Sequence, residues 1–145
     1  MTYQHKQIGS VIIAGIWIVL AAFILWFPDR SGMIRGVVCA SLLLSLAMFY
    51  SLTVEVSGST LVCRFGIGLI QRSLSLADIE NARVVRNPWY SGWGIRWRPG
   101  RYLLWSVSGY QAVELELRDG NRFRIGTDEP ENLLNALRSY SSLRW

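Results

Sequence analysis

The stretch from Ile8 to Phe27, IGSVIIAGIWIVLAAFILWF, carries no charged residue, and it constrains the fold more than any other feature of the chain. As a helix rising about 1.5 Å per residue, it reaches across a hydrocarbon layer of roughly 30 Å. A second uncharged run, Gly36 to Leu52 (GVVCASLLLSLAMFYSL), lies near the short end of the spanning range. Little more than Pro28-Asp29-Arg30-Ser31-Gly32 separates them, so the two are expected to form an antiparallel membrane hairpin with spans at about 8–27 and 34–52. The first run is too long for the apolar core of a cleaved signal, and no small-x-small site with a polar flank follows it.

Charges next to the spans balance: Lys6 and Arg64 lie on one side, Arg30 and Arg35 on the other. The cysteines weigh in instead. Cys39 falls inside the second span and Cys63 in a predicted strand, so they cannot pair, which fits a reducing compartment. Residues 51–145 hold twelve Arg against nine Asp or Glu, a mild basic balance suited to anionic lipid heads. Both termini are therefore expected on the cytoplasmic side of an inner membrane crossed twice. Trp26 and Phe27 at one end and Tyr50 at the other read as interfacial anchors.

Residues 53–145 are enough for one small domain. Thr53–Val56 and Thr60–Phe65 alternate around Ser57-Gly58-Ser59. A two-residue turn at Gly58-Ser59 sets Val56 opposite Leu61 and Val54 opposite Cys63, with Glu55 and Arg64 outside. Leu69–Leu74 and Ile79–Arg86 read as the next strands, the latter stopped by Asn87-Pro88. A turn at Pro99-Gly100 is expected to oppose Trp97 to Tyr102, Ile95 to Leu104 and Arg98 to Arg101. A three-residue turn, Asp119-Gly120-Asn121, is expected to oppose Leu117 to Phe123, Leu115 to Ile125 and Glu116 to Arg124. Thr127-Asp128-Glu129-Pro130-Glu131 opens an amphipathic helix carrying Leu133, Leu134, Leu137 and Tyr140, with carboxylates in its first turn.

The fold class is thus α+β: a two-helix membrane hairpin, about seven short strands, and one C-terminal helix. A bent sheet plugged by a helix buries both kinds of apolar face. The order resembles the pleckstrin-homology superfold, and more narrowly the bacterial PH-like domains that follow membrane spans. The resemblance rests on Leu76-Ala77-Asp78-Ile79-Glu80, Trp93-Gly94-Ile95-Arg96, Pro99-Gly100, Ala112-Val113-Glu114-Leu115 and Arg124-Ile125-Gly126-Thr127-Asp128-Glu129-Pro130, over roughly residues 53–140. It implies a bent sheet or barrel and no particular activity. Eukaryotic members that grip phosphoinositides place basic residues around the first hairpin turn; here that turn, Ser57-Gly58-Ser59, has none.

No catalytic constellation stands out. His5 is the sole histidine and is expected in a tail before the membrane. Neither a metal-ligand spacing nor a GxSxG, phosphate-binding loop or HExxH motif occurs. Glu114 and Glu116 read as salt-bridge partners on a solvated strand face. An enzyme, a cofactor, a metal and a nucleic-acid partner are therefore not expected.

The candidate surface is the aromatic and arginine stretch: Trp89, Tyr90, Trp93, Arg96, Trp97, Arg98, Arg101 and Tyr102. Three readings apply to it. Trp and Tyr favour strands, and Arg over an indole is a common surface contact. The same residues suit a headgroup layer, and they also dominate protein hot spots. Small-residue pairs (Gly36 with Ala40, Ser41 with Ser45, Ser10 with Ala14) permit close helix packing and a homo-oligomer. The expected role is a noncatalytic adaptor that docks a partner protein at the membrane, with a lipid-headgroup sensor as the alternative.

Overall fold

The structure, a computed structural model, describes residues 2–28 and 31–140. Two residues of the expected helix connection, Asp29 and Arg30, lie outside the described residues. The described residues form nine strands and three α-helices: β1 (Thr2–Ile8), α1 (Ser10–Trp26), α2 (Gly32–Phe49), β2 (Ser51–Ser57), β3 (Thr60–Phe65), β4 (Ile70–Ser75), β5 (Ile79–Arg86), β6 (Gly94–Arg98), β7 (Tyr102–Ser106), β8 (Gln111–Leu117), β9 (Arg122–Gly126) and α3 (Pro130–Tyr140). The α+β class holds, with one strand, then two helices, then the remaining strands of two sheets and a closing helix, although the strands number nine against about seven expected.

The N-terminus differs most from the sequence reading. Instead of a tail, Thr2–Ile8 is a strand paired antiparallel with β2 from Thr2–Ser57 to Ile8–Ser51. Tyr3, His5 and Gln7 lie opposite Val56, Val54 and Leu52. The sheet therefore begins before the helices, and it also takes Ser51 and Leu52 from the expected second span. As a result α1 is shorter than its uncharged run, and α2, Gly32–Phe49, is displaced toward the N-terminus of the expected 34–52 span and takes in Arg35. α1 has 17 residues. α2 has 18 and is long and apolar enough to cross a membrane, the one such helix among the described residues. Neither helix has a buried residue. The Ser31 hydroxyl accepts from Ile34 N at 3.4 Å and caps α2. At the other end Gly9 N donates to Tyr50 O at 2.7 Å, joining the start of α1 to the end of α2.

One sheet runs β1-β2-β3-β4 and is antiparallel throughout; the other runs β5-β8-β9-β7-β6, with β7 and β9 parallel. The first hairpin has the expected register, Val56 with Leu61 and Val54 with Cys63, and Arg64 reaches Glu55 at 3.6 Å. Two other registers are corrected. β6 and β7 pair Trp97 with Leu103, Ile95 with Trp105 and Arg98 with Tyr102, because Arg101 joins Pro99-Gly100 in a three-residue turn closed by Arg101 N to Arg98 O. β8 and β9 pair Leu115 with Phe123, Glu116 with Arg122 and Glu114 with Arg124. Leu117 N donates to Asn121 O, so the three-residue turn is Arg118-Asp119-Gly120, one residue earlier than expected.

The core lies between the sheets. Val54, Val56, Leu61, Cys63 and Phe65 meet Trp105, Val113, Leu115, Leu117, Phe123 and Ile125, and Leu133, Leu134 and Leu137 of α3 close one side. Each such side chain contributes about 1.5–3 kcal/mol on burial. Burial also pushes the Cys63 thiol up to about 12, which leaves it inert. A file of rings ties the helices to this core: Phe49, the last residue of α2, meets Phe65 at 5.4 Å, Phe65 meets Trp105 at 4.9 Å, and Trp105 meets Phe123 at 5.6 Å.

Candidate functional site

β6 is the edge of its sheet, bonded to β7 on one side only. Alternation along it sends Ile95 and Trp97 to one face and Arg96 and Arg98 to the other. On the second face, Asn87-Pro88 ends β5 and starts a short 3-10 turn, Trp89–Ser91, with Asn87 and Ser91 both buried. This segment turns back over the sheet. It makes one wall of an open depression of about 490 Å³ whose other wall is the β6–β7 hairpin.

Tyr90, Arg96, Trp97, Arg98 and Arg101 line this depression together with Ser91 and Pro99. Trp89, 78% exposed, stands edge-on to Tyr90 at 5.9 Å between ring centres. The Arg98 guanidinium lies 5.4 Å over the Tyr90 ring. Trp97 is 74% exposed. Arg96 is steered by its own loop, its Nε donating to Trp93 O at 3.3 Å. Among the described residues, no carboxylate pairs with Arg96, Arg98 or Arg101, and none lines the depression. A smaller neighbouring depression of about 290 Å³ shares Trp97, Arg98 and Arg101 and adds Arg72 and Arg122. The β6–β7 tip is thus ringed by cations.

Two of the expected site residues do other work. Trp93 turns away from the depression: its Nε1 donates to Gly109 O at 3.1 Å, and its ring meets Tyr110 at 6.0 Å. Tyr102 is half-buried beneath Arg124, whose guanidinium lies 3.7 Å from its ring centre. Arg72 and Arg122 were not singled out from the sequence. Arg72 sits opposite Cys63 on β4 and reaches 5.0 Å from the Phe123 ring, a meeting of distant strands that no local pattern announces.

Glu114 corrects another expectation. It is not on a solvated face but 0% exposed, held between two arginines from the neighbouring strands β5 and β9. Arg124 Nε donates to Oε2 at 2.6 Å and Arg83 Nε to Oε1 at 3.0 Å, while Arg124 Nη1 donates to Asn87 Oδ1 at 3.0 Å. Burial alone would raise the Glu114 carboxyl, but the hydrogen bonds and charges of Arg124 and Arg83 outweigh it and hold the group below the ordinary range. The same contacts push Arg83 up. Through Asn87 the network anchors the start of the segment whose Tyr90 and Ser91 line the depression. Glu116 is the more exposed member of the pair, 3.5 Å from Arg122. His5 is likewise no free tail residue: its Nε2 is 2.6 Å from Asp128 Oδ1, where β1 meets the start of α3.

The depression can hold an anion against guanidiniums and a flat apolar group against Tyr90 and Trp97. The described residues offer no group of three or more His, Cys, Asp or Glu side chains that could hold a metal ion. No family model matches the chain, and no curated protein matches it in sequence.

Proposed function

We propose that this chain is a noncatalytic, membrane-anchored docking module: the α1–α2 hairpin seats it in an inner membrane with both termini cytoplasmic, and its PH-like sheets present the β6 depression to an acidic segment of a partner protein. The observation that carries the reading is the set of guanidiniums, Arg96, Arg98 and Arg101, that have no carboxylate partner among the described residues and stand around exposed Tyr90 and Trp97 on an open sheet edge. Arginine and aromatic residues concentrate binding energy at protein interfaces, and an open edge accepts an extended peptide. The location also supports a soluble partner. Ser10, which opens α1, meets Ser108 just past the Ser106 end of β7, whereas Arg98 and Arg101 lie at the opposite end of the hairpin. Four residue steps of strand, about 13 Å, separate the two ends.

A lipid-headgroup reading keeps one observation of its own: Trp93 and Tyr110 gather at the Ser108–Tyr110 loop, on the α1 side. One experiment separates the two. Full-length protein is purified from its native host in mild detergent, as wild type and as Arg98→Glu with Arg101→Glu, and each is assayed for co-purifying protein and for binding to phosphatidylglycerol vesicles. The docking reading expects a stoichiometric partner that the double variant loses by at least about tenfold, the scale of one charged contact. Loss of vesicle binding with no partner in either sample would overturn it in favour of lipid.

A further inference from the structure

The turn between β3 and β4 carries two large apolar side chains, Ile67 at 59% and Leu69 at 71% exposure. An isolated exposed leucine means little, but this turn is locked to the end of α2. Gly66 N donates to Ser51 O at 2.8 Å, Ile67 N to Ala47 O at 3.3 Å, and Gly68 N closes the turn on Phe65 O at 2.8 Å. The fit needs glycine at 66: its φ is +49°, and a Cβ there would stand 2.2 Å from Ala47 O and 2.5 Å from Met48 O. The backbone of the turn therefore touches the last helical turn of α2 at Ala47 and Met48; one turn earlier, three and four residues before Ala47 and so on its face of the helix, Leu44 and Leu43 are apolar and exposed. The apolar surface of the helix runs on into Ile67 and Leu69.

The same level of the molecule, where Gly9 N meets Tyr50 O, carries Ile8, 61% exposed, and Tyr50, with Lys6 Nζ 5.0 Å from the Tyr50 ring centre and 3.5 Å from its hydroxyl. Tyrosine and a snorkelling lysine are the residues that settle at a headgroup boundary, with aliphatic side chains just below them.

We propose that the Gly66–Leu69 turn is a membrane-inserting wedge, with Ile67 and Leu69 in the boundary between headgroups and acyl chains beside α2. The proposal rests on the reading of α2 as a membrane span. The wedge follows β3 and Lys6 lies on β1, the two neighbours of β2 in the sheet, so together they hold the height of the sheets above the bilayer. The depression at β6 is then presented at a set height rather than swinging on two helices.

The test uses nitroxide labels on the full-length chain in vesicles of phosphatidylcholine and phosphatidylglycerol. Labels go singly at Leu69→Cys, Leu44→Cys and Ser59→Cys in a Cys39→Ser background; Cys63 stays unlabelled because it is buried. Collisions with dissolved oxygen report lipid, and collisions with a nickel chelate report water. The wedge expects the label at 69 to match that at 44, rich in oxygen collisions and with the nickel collisions lost, while the label at 59, on the far β2–β3 turn, shows the reverse. A label at 69 that behaves like 59 while 44 remains in lipid overturns the wedge and leaves the span standing. Labels at 44 and 59 that behave alike overturn the span, and the wedge with it.

Discussion

Glu114 shows how a single side chain can look ordinary in sequence and be central in the fold. Alternation in Ala112–Leu117 correctly separates the core residues Val113, Leu115 and Leu117 from their neighbours. It cannot report that Arg83 and Arg124 converge on Glu114 from the strands on either side of it, because both lie opposite it only once the strand registers are set. Buried between Arg124 and Arg83, Glu114 is expected to matter far more than Glu116. Glu114→Ala leaves Arg124, itself 15% exposed, without its partner and lowers stability by about 3 kcal/mol. Glu116→Ala breaks contacts of 3.5 and 4.0 Å between partly exposed groups and costs below about 1 kcal/mol. Thermal unfolding in mild detergent measures both, and equal losses would remove the distinction. The pH dependence follows in sign. The folded carboxyl sits below its ordinary 4.5, so the stabilisation is complete above that value and is lost as pH falls through the lowered folded value. The wild-type melting temperature should therefore drop under acid conditions, and Glu114→Ala should lack that part of the drop.

Among the elements, legibility depended on whether the turn fixes the register by itself. Gly58, with φ +56°, completes a two-residue turn, and the β2–β3 register could be read directly from it. At Pro99-Gly100 the turn takes in Arg101 as well, and the pairing slips by one, so that Ile95 and Trp97 face Trp105 and Leu103. At Arg118-Asp119-Gly120 the pairing slips by two, which preserves the faces, and the core residues were legible although their partners were not. β1 was missed for a different reason: Thr2-Tyr3-Gln4-His5-Lys6-Gln7 has a single large apolar residue, and its partner strand begins beyond both helices. The Gly66 turn gives the prediction at this scale. Gly66→Ala must adopt a left-handed φ and push against two backbone carbonyls that cannot rotate away, so it should cost at least about 2 kcal/mol. Gly68, whose Cβ would meet nothing within 4 Å, shares the positive φ and isolates the strain: Gly68→Ala is the milder change. Hydrogen exchange at the Ile67 amide should quicken in the first variant, and no change there would mean that the turn is not clamped to α2.

For the whole molecule, the order of elements says that the helices are an insertion in a β-hairpin. β1 and β2 are antiparallel neighbours, and Ile8 pairs with Ser51 at the point where the helices enter and leave. The 17- and 18-residue helices contribute no buried residue of their own, and the core is drawn from the strands and α3. Replacing residues 9–50 by an Asn-Gly turn should therefore give a soluble nine-stranded domain that melts cooperatively, because two residues in that turn type join adjacent antiparallel strands. The replacement has a definite cost. Phe49 leaves the edge of the Phe65 ring, and Ile12 leaves the core surface, which together remove about 1–3 kcal/mol of aromatic contact and apolar burial. A chain beginning at Ser51 is the informative contrast. It lacks β1, and with it Tyr3 and Gln7 opposite Val56 and Leu52 and the His5–Asp128 contact with α3. It should expose the β2 edge and aggregate, while the turn-replaced variant remains a monomer by light scattering with dispersed amide resonances. If both variants fold equally well, β1 is an accessory to the domain. If neither folds, the Phe49–Phe65–Trp105 file is the true seat of stability, and the sheets depend on the helices they carry.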